Sequence, residues 1–407
     1  MSDGVEACVV INALNEASSI GRQLDALRGQ AGSVRFEVLV ADNGSSDGTP
    51  DVVLDYARRH PSLALSVCSE ERKGVALALR RGLDVAASRG RAYLVAAHAE
   101  SIVDDHFVSE LIEGMRASGA DLGVADCYYS AAHFATRPRL WEIIDITMEA
   151  RAFLNRLLGG FPEGKGFAVR RETYQRVGGV EILYQMKGGE FVPHPTDDLD
   201  FGVRVVAHGG KVAFCERSRV EIDPRRVDEQ LDEMIAGRAY GSNGVFDMAD
   251  VRAPGDRPAL RDVTEEEGRS LWGYSLKDVV IRGVLLPLLL DARHFDRAEV
   301  REVLSDALAD DLARRIGEMR DEMRLIDFTP IHSYKPPCYR LYFEFAGRIC
   351  ARLAGRFHPR FADIPSLPPA LASVRARGDE DWRTFVRYYC EDRESGEAHN
   401  YFGTGVF

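Results

Sequence analysis

The sequence predicts an α/β protein: a Rossmann-like, mostly parallel sheet flanked by helices, with a mainly helical C-terminal region. Three observations predict it. Short apolar runs alternate with amphipathic stretches over residues 8–115. Polar, turn-rich clusters follow the runs that end at Ile11, Val40 and Ala97. Beyond Asp223 the alternation gives way to helical spacing.

The elements follow in order. Cys8-Val9-Val10-Ile11 is continuously apolar, as a strand buried on both faces must be, and Asn12 to Glu16 reads as the polar turn after it. Ser18 and Ser19 are placed to cap a helix through Ile20, Leu24 and Leu27. Phe36 to Val40 is the second strand, and Asp42-Asn43-Gly44-Ser45-Ser46-Asp47-Gly48-Thr49 is a dense turn behind it. Thr49-Pro50 opens a helix to Arg59, with proline where an orphan N–H would otherwise stand. Leu63 to Cys68 is a third strand, Gly74 to Ser88 an amphipathic helix, Tyr93 to Ala97 a fourth strand and Asp104 to Met115 the next helix. Such a βαβαβ order makes right-handed crossovers and puts the strand C-termini on one edge, where ligands of open α/β sheets bind. Residues 121–223 are less regular, with a glycine-rich stretch at 159–190. Farther on, 252–258 reads as a linker, 262–290, 296–325 and 339–355 as helices, and 329–338 and 359–369 as irregular, proline-containing segments. The expected domains are 1–225 and 226–407.

Composition narrows the function classes. The 407 residues are 45% hydrophobic and 29% charged, the values of an ordinary globular protein. A formal net charge of −12 argues against a broad nucleic-acid footprint, though a nucleotide pocket needs only local basicity. The acidic start Met1-Ser2-Asp3-Gly4-Val5-Glu6 does not resemble a secretory leader. Val279 to Leu290, the most apolar run, is too short for a membrane span and contains Arg282 and Pro287, so it reads as a buried helix. The seven cysteines (Cys8, Cys68, Cys127, Cys215, Cys338, Cys350 and Cys390) are scattered and odd in number, without a CxxC pair. A cytoplasmic location without disulfides or structural zinc is expected.

Five motifs carry a resemblance. Val38-Leu39-Val40-Ala41-Asp42-Asn43-Gly44-Ser45-Ser46-Asp47-Gly48-Thr49 is similar to the strand and D-[DN]-G-S-x-D-G-T turn of family-2 glycosyltransferases of the GT-A fold. Val10 to Glu16 resembles that family's first strand and P-x-x-N-E turn, with Asn12 in place of proline. Lys73-Gly74, with Arg80-Arg81-Gly82, occupies the place of its glycine-containing helix before the fourth strand. Gly164-Lys165-Gly166 through Arg170-Arg171-Glu172-Thr173-Tyr174 and Val177-Gly178-Gly179 resembles its glycine loop and R-R-x-x-[FY]-x-x-[VI]-G-G segment. Pro195-Thr196-Asp197-Asp198-Leu199-Asp200, with Arg204 and Gly209-Gly210-Lys211-Val212, resembles its T-E-D run. Together they span about residues 5–222.

The resemblance implies a glycosyltransferase that uses a nucleoside-diphosphate sugar, UDP- or GDP-linked. It places Ala13, Asn15, Glu16 and Asp42 around the nucleoside, where the Asp42 carboxylate can accept from a base imino N–H. It places Lys73 near the diphosphate and Gly166 and Arg204 on the acceptor side, although Arg204, one to two turns after the acidic run, is better placed to pair with that run than with substrate. Asp198 takes the position of the catalytic base for inverting displacement, with Asp197 as its acidic neighbour. Each has a plainer reading. The Asp42 turn can be only a turn, Asp47 can hold the loop, Lys73 can lie on a solvated face, and acidic residues favour any helix N-terminus. The departure from the family is at D-x-D, where this chain has His98-Ala99-Glu100. His98 and Glu100 can hold a divalent metal, Mn²⁺ more readily than Mg²⁺ given an imidazole, or the diphosphate can be stabilised by cations without one. The rival readings are a sugar nucleotidyltransferase and a non-catalytic sugar-nucleotide binding protein. Against the first, Asn12 to Glu16 lacks the Gly-rich basic loop such enzymes place after strand one; against the second stands the Asp197-Asp198 pair. A soluble small-molecule or peptide acceptor is expected, with 226–407 covering the acceptor side or forming a homo-oligomer interface.

Overall fold

The computed structural model describes residues 4–162, 165–182, 184–187, 190–193, 197–235, 260–325 and 334–367, with isolated positions at 372, 375 and 376. The expected linker 252–258 lies outside them. In chain order the elements are β1 (Ala7–Ala13), α1 (Ile20–Arg28), β2 (Phe36–Asp42), α2 (Thr49–Arg59), β3 (Leu65–Ser69), α3 (Val75–Ser88), β4 (Tyr93–His98), β5 (Ile102–Val103), α4 (Phe107–Ser118) and β6 (Leu122–Tyr128). Then come α5 (Pro138–Leu158), β7 (Gly166–Arg170), α6 (Arg171–Arg176), β8 (Tyr184–Lys187), β9 (Glu190–Pro193), α7 (Asp197–Ala207), β10 (Val212–Glu221) and α8 (Arg225–Ile235). The C-terminal helices are α9 (Glu265–Val280), α10 (Leu286–Leu290), α11 (Ala298–Leu304), α12 (Asp306–Leu325) and α13 (Lys335–Arg356).

The chain forms two compact units that interleave along the sequence. The first comprises residues 1–130, 161–183 and 193–224; the second comprises 131–160, 184–192 and 225–407. In the first, eight strands make one mixed sheet in the order β3-β2-β1-β4-β7-β6-β10-β5. β1 to β4 are parallel, and β6 is parallel to β10, while β7 runs antiparallel between β4 and β6. The continuous apolar runs predicted both-face burial, and the sheet has it. Val9, Ile11, Val38, Val40 and Val95 pack with α1, α2 and α4 on one face, and Val10, Leu39, Leu94 and Ala96 pack with α3 and α7 on the other. Each such fully buried Val, Leu or Ile contributes about 1.5–3 kcal/mol of transfer free energy.

In the second unit α5 pairs with α9. Asp262 accepts the Leu140 and Arg139 backbone N–H groups at the start of α5 (2.9 and 3.2 Å). Gly283 lets the α9–α10 segment close on Leu154 of α5, since a β-carbon there would come within 2.7 Å of it. Thr264 and Glu267 form a reciprocal capping box at the start of α9. The single helix expected over 262–290 is broken by a π-helical turn at Ile281–Leu285. Pro287 lacks the N–H that the Gly283 carbonyl would receive, and a widened turn is a common accommodation of such a lost bond. The helix expected over 296–325 is likewise broken, at Ser305, whose φ is +73°. The proline segment expected as loop to residue 338 is helical from Lys335, because Pro336 and Pro337 sit in the first turn, where no N–H is missed.

Candidate functional site

The C-terminal ends of β1, β2, β3 and β4 are in register. Ala13 stands beside Asp42, Asp42 beside Ser69, and Asn12 beside His98. The predicted nucleoside residues therefore meet on one edge. What holds them there is the second turn gripping the first. Three successive backbone N–H groups of the first turn donate to side chains of the second: Asn15 to Ser45 Oγ, Glu16 to Thr49 Oγ1 and Ala17 to Asp47 Oδ2, each at 2.9 Å. In return Asn15 Oδ1 accepts from the Ser46 N–H at 2.9 Å. Asn15 takes a left-handed φ of +56° to do so, a conformation that costs a non-glycine residue energy and recurs at functional sites. The turn itself needs Gly44 and Gly48 at φ +70° and +85°.

Asp42 is buried, and its carboxylate accepts from the Gly44 and Ser45 N–H groups at 3.1 and 3.2 Å. Glu16 is also buried, and Ser19 Oγ donates to its carboxylate. Ser19 thus makes no side-chain cap on α1, contrary to expectation, because its hydroxyl is drawn to Glu16. Asp47 holds the loop. Burial pushes its carboxyl up, but the Thr49 hydroxyl and the Ala17 and Thr49 amides outweigh that and keep it below the usual carboxylate range.

Sequence reasoning missed Asn43. It is buried, donates through Nδ2 to the carbonyls of Glu70 and Arg72 (3.1 and 2.6 Å), and accepts the Gly74 N–H through Oδ1 (2.8 Å). It therefore ties the β3–α3 loop to the same edge; its place inside the D-N-G turn was the available signal. Lys73 Nζ donates to the backbone carbonyls of Asn43 (3.0 Å) and Gly44. The expected diphosphate cation thus stands directly before the N-terminus of α3, spending protons on the turn.

His98 ends β4 as a buried strand residue rather than opening the loop after it, and its Nδ1 lies 3.2 Å from Glu100 Oε1. That spacing suits a hydrogen bond, and it equally suits two adjacent ligands on one divalent ion at about 2.1 Å each. The pair fits a metal only in part, because no group of three His, Cys, Asp or Glu gathers for an ion among the described residues. A metal here would need further ligands, such as diphosphate oxygens.

α7 runs against the parallel strands. Phe201 packs on Phe167 of β7 (centroids 6.0 Å apart), and the last turn reaches Gly210, ahead of the β10 start opposite Leu122. Its first turn, with Asp197 and Asp198, lies toward the edge where β4 ends. The Leu199 N–H donates to Asp198 Oδ1 at 2.7 Å. The Asp197 side chain and residues 194–196 lie outside the described residues, as does Gly164. Gly166 opens β7 opposite Ala97. A β-carbon there would meet Val220 at 2.8 Å, so packing alone requires glycine. Arg204 pairs with the buried Asp200 (3.3 Å) and donates to the carbonyls of Val177 (2.9 Å) and Gly179. It clamps the Gly178-Gly179 turn, and the acidic run supplies its counter-ion.

No described helix is long and apolar enough to cross a membrane. The chain is 32% identical over 113 residues to the succinoglycan biosynthesis protein ExoA of Rhizobium meliloti (strain 1021), a match that covers 28% of this chain and a third (33%) of that protein. A mannosyltransferase from Pyrobaculum calidifontis, solved with GDP-Man and Mn²⁺, aligns over 98% of this chain and 86% of its own at 16% identity and a TM-score of 0.41. The glucosyl-3-phosphoglycerate synthase of Mycobacterium tuberculosis, solved with Mn²⁺, UDP-glucose and glycerol 3-phosphate, aligns over 52% of this chain and 69% of its own at 20% identity and a TM-score of 0.35. The family model for glycosyl transferase family 2 matches residues 8–178, the stretch that builds the stapled strand edge. Over that stretch, less than half of its length, the chain is similar to glycosyl transferase family 2.

Proposed function

We propose that the protein transfers a glycosyl group from a nucleoside-diphosphate sugar to an acceptor nucleophile, with inversion and with Asp198 as general base. The carrying observation is the first turn locked onto the second by the Ser45, Asp47 and Thr49 side chains at the strand edge, inside the segment that matches the family. Asp42 and Glu16, both buried there, present carboxylate to the nucleoside. Bound with its diphosphate toward Lys73 and the N-terminus of α3, the donor would have a helix dipole and an ammonium at its leaving group.

The reaction balances simply. The acceptor heteroatom attacks the anomeric carbon, the bond from that carbon to the diphosphate oxygen breaks, and the nucleoside diphosphate leaves with the electron pair. Asp198 takes the acceptor proton, within reach from the first turn of α7. His98 and Glu100 are the residues that would hold a divalent metal, which would neutralise charge on the departing diphosphate.

A thermal-shift panel tests it. UDP, GDP and their sugars, each with and without Mn²⁺, should raise the melting temperature for one nucleotide class, since a ligand that binds only the native state stabilises by mass action. Stabilisation by nucleoside triphosphates with turnover to a sugar nucleotide would instead establish nucleotidyl transfer. Donor binding without slow hydrolysis or transfer would leave a binding protein.

A further inference from the structure

The expected polar turn begins two residues too early, because Asn12 and Ala13 are strand residues of β1, and Asn12 is only 8% exposed. The parallel register sets it between Ala41 of β2 and His98 of β4. Side chains of directly paired parallel residues point to the same side of a sheet. Asn12 therefore continues the column of Cys8 and Val10, on the face that α3 covers with Ala78, Leu79 and Leu83. Asp42 stands on the opposite face, beside Ala13. A carboxamide thus interrupts an apolar column at the very edge where the donor would bind. Its Oδ1 is buried and has no hydrogen-bond partner among the described residues. Leaving a buried acceptor unsatisfied costs about 1–3 kcal/mol, so the free protein bears a penalty that an apolar side chain would avoid.

We propose that Asn12 is a specificity-determining residue whose Oδ1 accepts a hydrogen bond from a hydroxyl of the bound donor. The inference rests on the glycosyl-transfer reading and deepens it. The chemistry selects the ligand group. An acceptor oxygen repels ionised phosphate oxygens, so the partner carries a proton, and a nucleoside-diphosphate sugar offers it as a ribose or a sugar hydroxyl. Asp42, on the other face, is left to the base.

Asn12→Leu keeps the branched side-chain outline and removes the polar group. Its free form should melt no lower than wild type, because the orphan acceptor is gone. Its affinity for the preferred nucleoside-diphosphate sugar should fall about tenfold to a hundredfold by calorimetry. Three ligands locate the hydroxyl. Loss confined to the nucleotide sugar puts it on the transferred sugar. Loss shared by the nucleoside diphosphate, but absent with its 2′-deoxy analogue, puts it on the ribose. If Asn12→Leu does not fold, Asn12→Ala must show the same affinity loss. Wild-type affinity of either folded variant for all three ligands overturns the assignment and means that water satisfies Oδ1. A wild-type protein that binds no nucleotide sugar at all overturns the glycosyl-transfer reading, and Asn12 with it.

Discussion

The strand edge of the first unit and the helix packing of the second are held by different kinds of contact. In the first, short polar side chains reach across about thirty residues of sequence to backbone groups at one sheet edge: Ser45, Asp47 and Thr49 to the turn at 15–17, and Asn43 to the loop at 70–74. In the second, long side chains and caps fasten helix to helix. Buried Arg137 pairs with Asp228, Arg297 donates to the Leu157 carbonyl (2.6 Å), Arg352 to the Val303 carbonyl (3.0 Å) and Trp272 Nε1 to the Asp363 carbonyl (2.8 Å). Short side chains fix a backbone shape tightly enough to position a ligand. Long ones tolerate more variation and mainly keep elements together. The first unit should therefore lose function when touched at its edge, and the second should lose stability.

The largest effect should come from Asp198→Asn. It keeps an Oδ1 acceptor for the Leu199 N–H and removes the base, so turnover should drop about 10²–10⁴-fold while nucleotide affinity holds. Near wild-type turnover would remove Asp198 from the chemistry. A thiolate acceptor, already partly ionised, would soften the effect in a way a pH series reveals.

Next, Arg137→Met leaves Asp228 buried without its cation and should cost about 3–5 kcal/mol in denaturant unfolding. Nucleotide affinity of the folded fraction should stay put. Asn43→Ala should behave differently: it strands two carbonyls and one N–H, lowering stability by about 1–3 kcal/mol and weakening nucleotide binding as well. Equal responses of affinity to the two variants would erase the contrast.

Asp42→Ala should weaken the preferred nucleoside diphosphate about tenfold to a hundredfold. Because its carboxylate also accepts from Gly44 and Ser45, a stability loss near 1 kcal/mol should accompany it. Unchanged affinity by calorimetry would leave Asp42 as a turn residue only.

The smallest effect belongs to the cap of α9. Thr264→Ala should cost about 1 kcal/mol. The hydrogen bond from Arg261, and then the Thr264 N–H, holds the Glu267 carboxyl at about 2. A depressed folded value means that the ionised carboxylate stabilises above the usual carboxylate range and that this contribution vanishes as pH falls toward about 2. The stability difference between wild type and Glu267→Gln should shrink over that window; a difference that grows in acid would contradict it. The group is partly exposed, so solvent screening keeps the effect small.

Cutting the chain at 225 bears on the same contrast. It would remove α9, Asp262 and the Gly283 contact from α5, stripping that helix of its packing. The fragment should be insoluble, and a soluble fragment with full transfer would show that the C-terminal region is dispensable.

The sequence by itself determined the order of the first four strands and their helices, the shared edge of the three polar clusters and the D-N-G-S turn. These are local or nearly so: periodicity records which face of an element is apolar, and right-handed crossovers place the strand ends. Tertiary structure decided what periodicity cannot record, namely which apolar surface covers which. It assigned α5 to the C-terminal helices, broke one predicted helix with a π turn before Pro287, spent Arg204 on Asp200 and a glycine turn, and drew Ser19 from its cap to Glu16. It also buried Asn12 and His98 side by side at the strand ends, where sequence showed only a missing proline and an altered D-x-D. Whether a polar group finds a partner depends on distant backbone arriving within hydrogen-bond reach, and only the folded chain sets that distance.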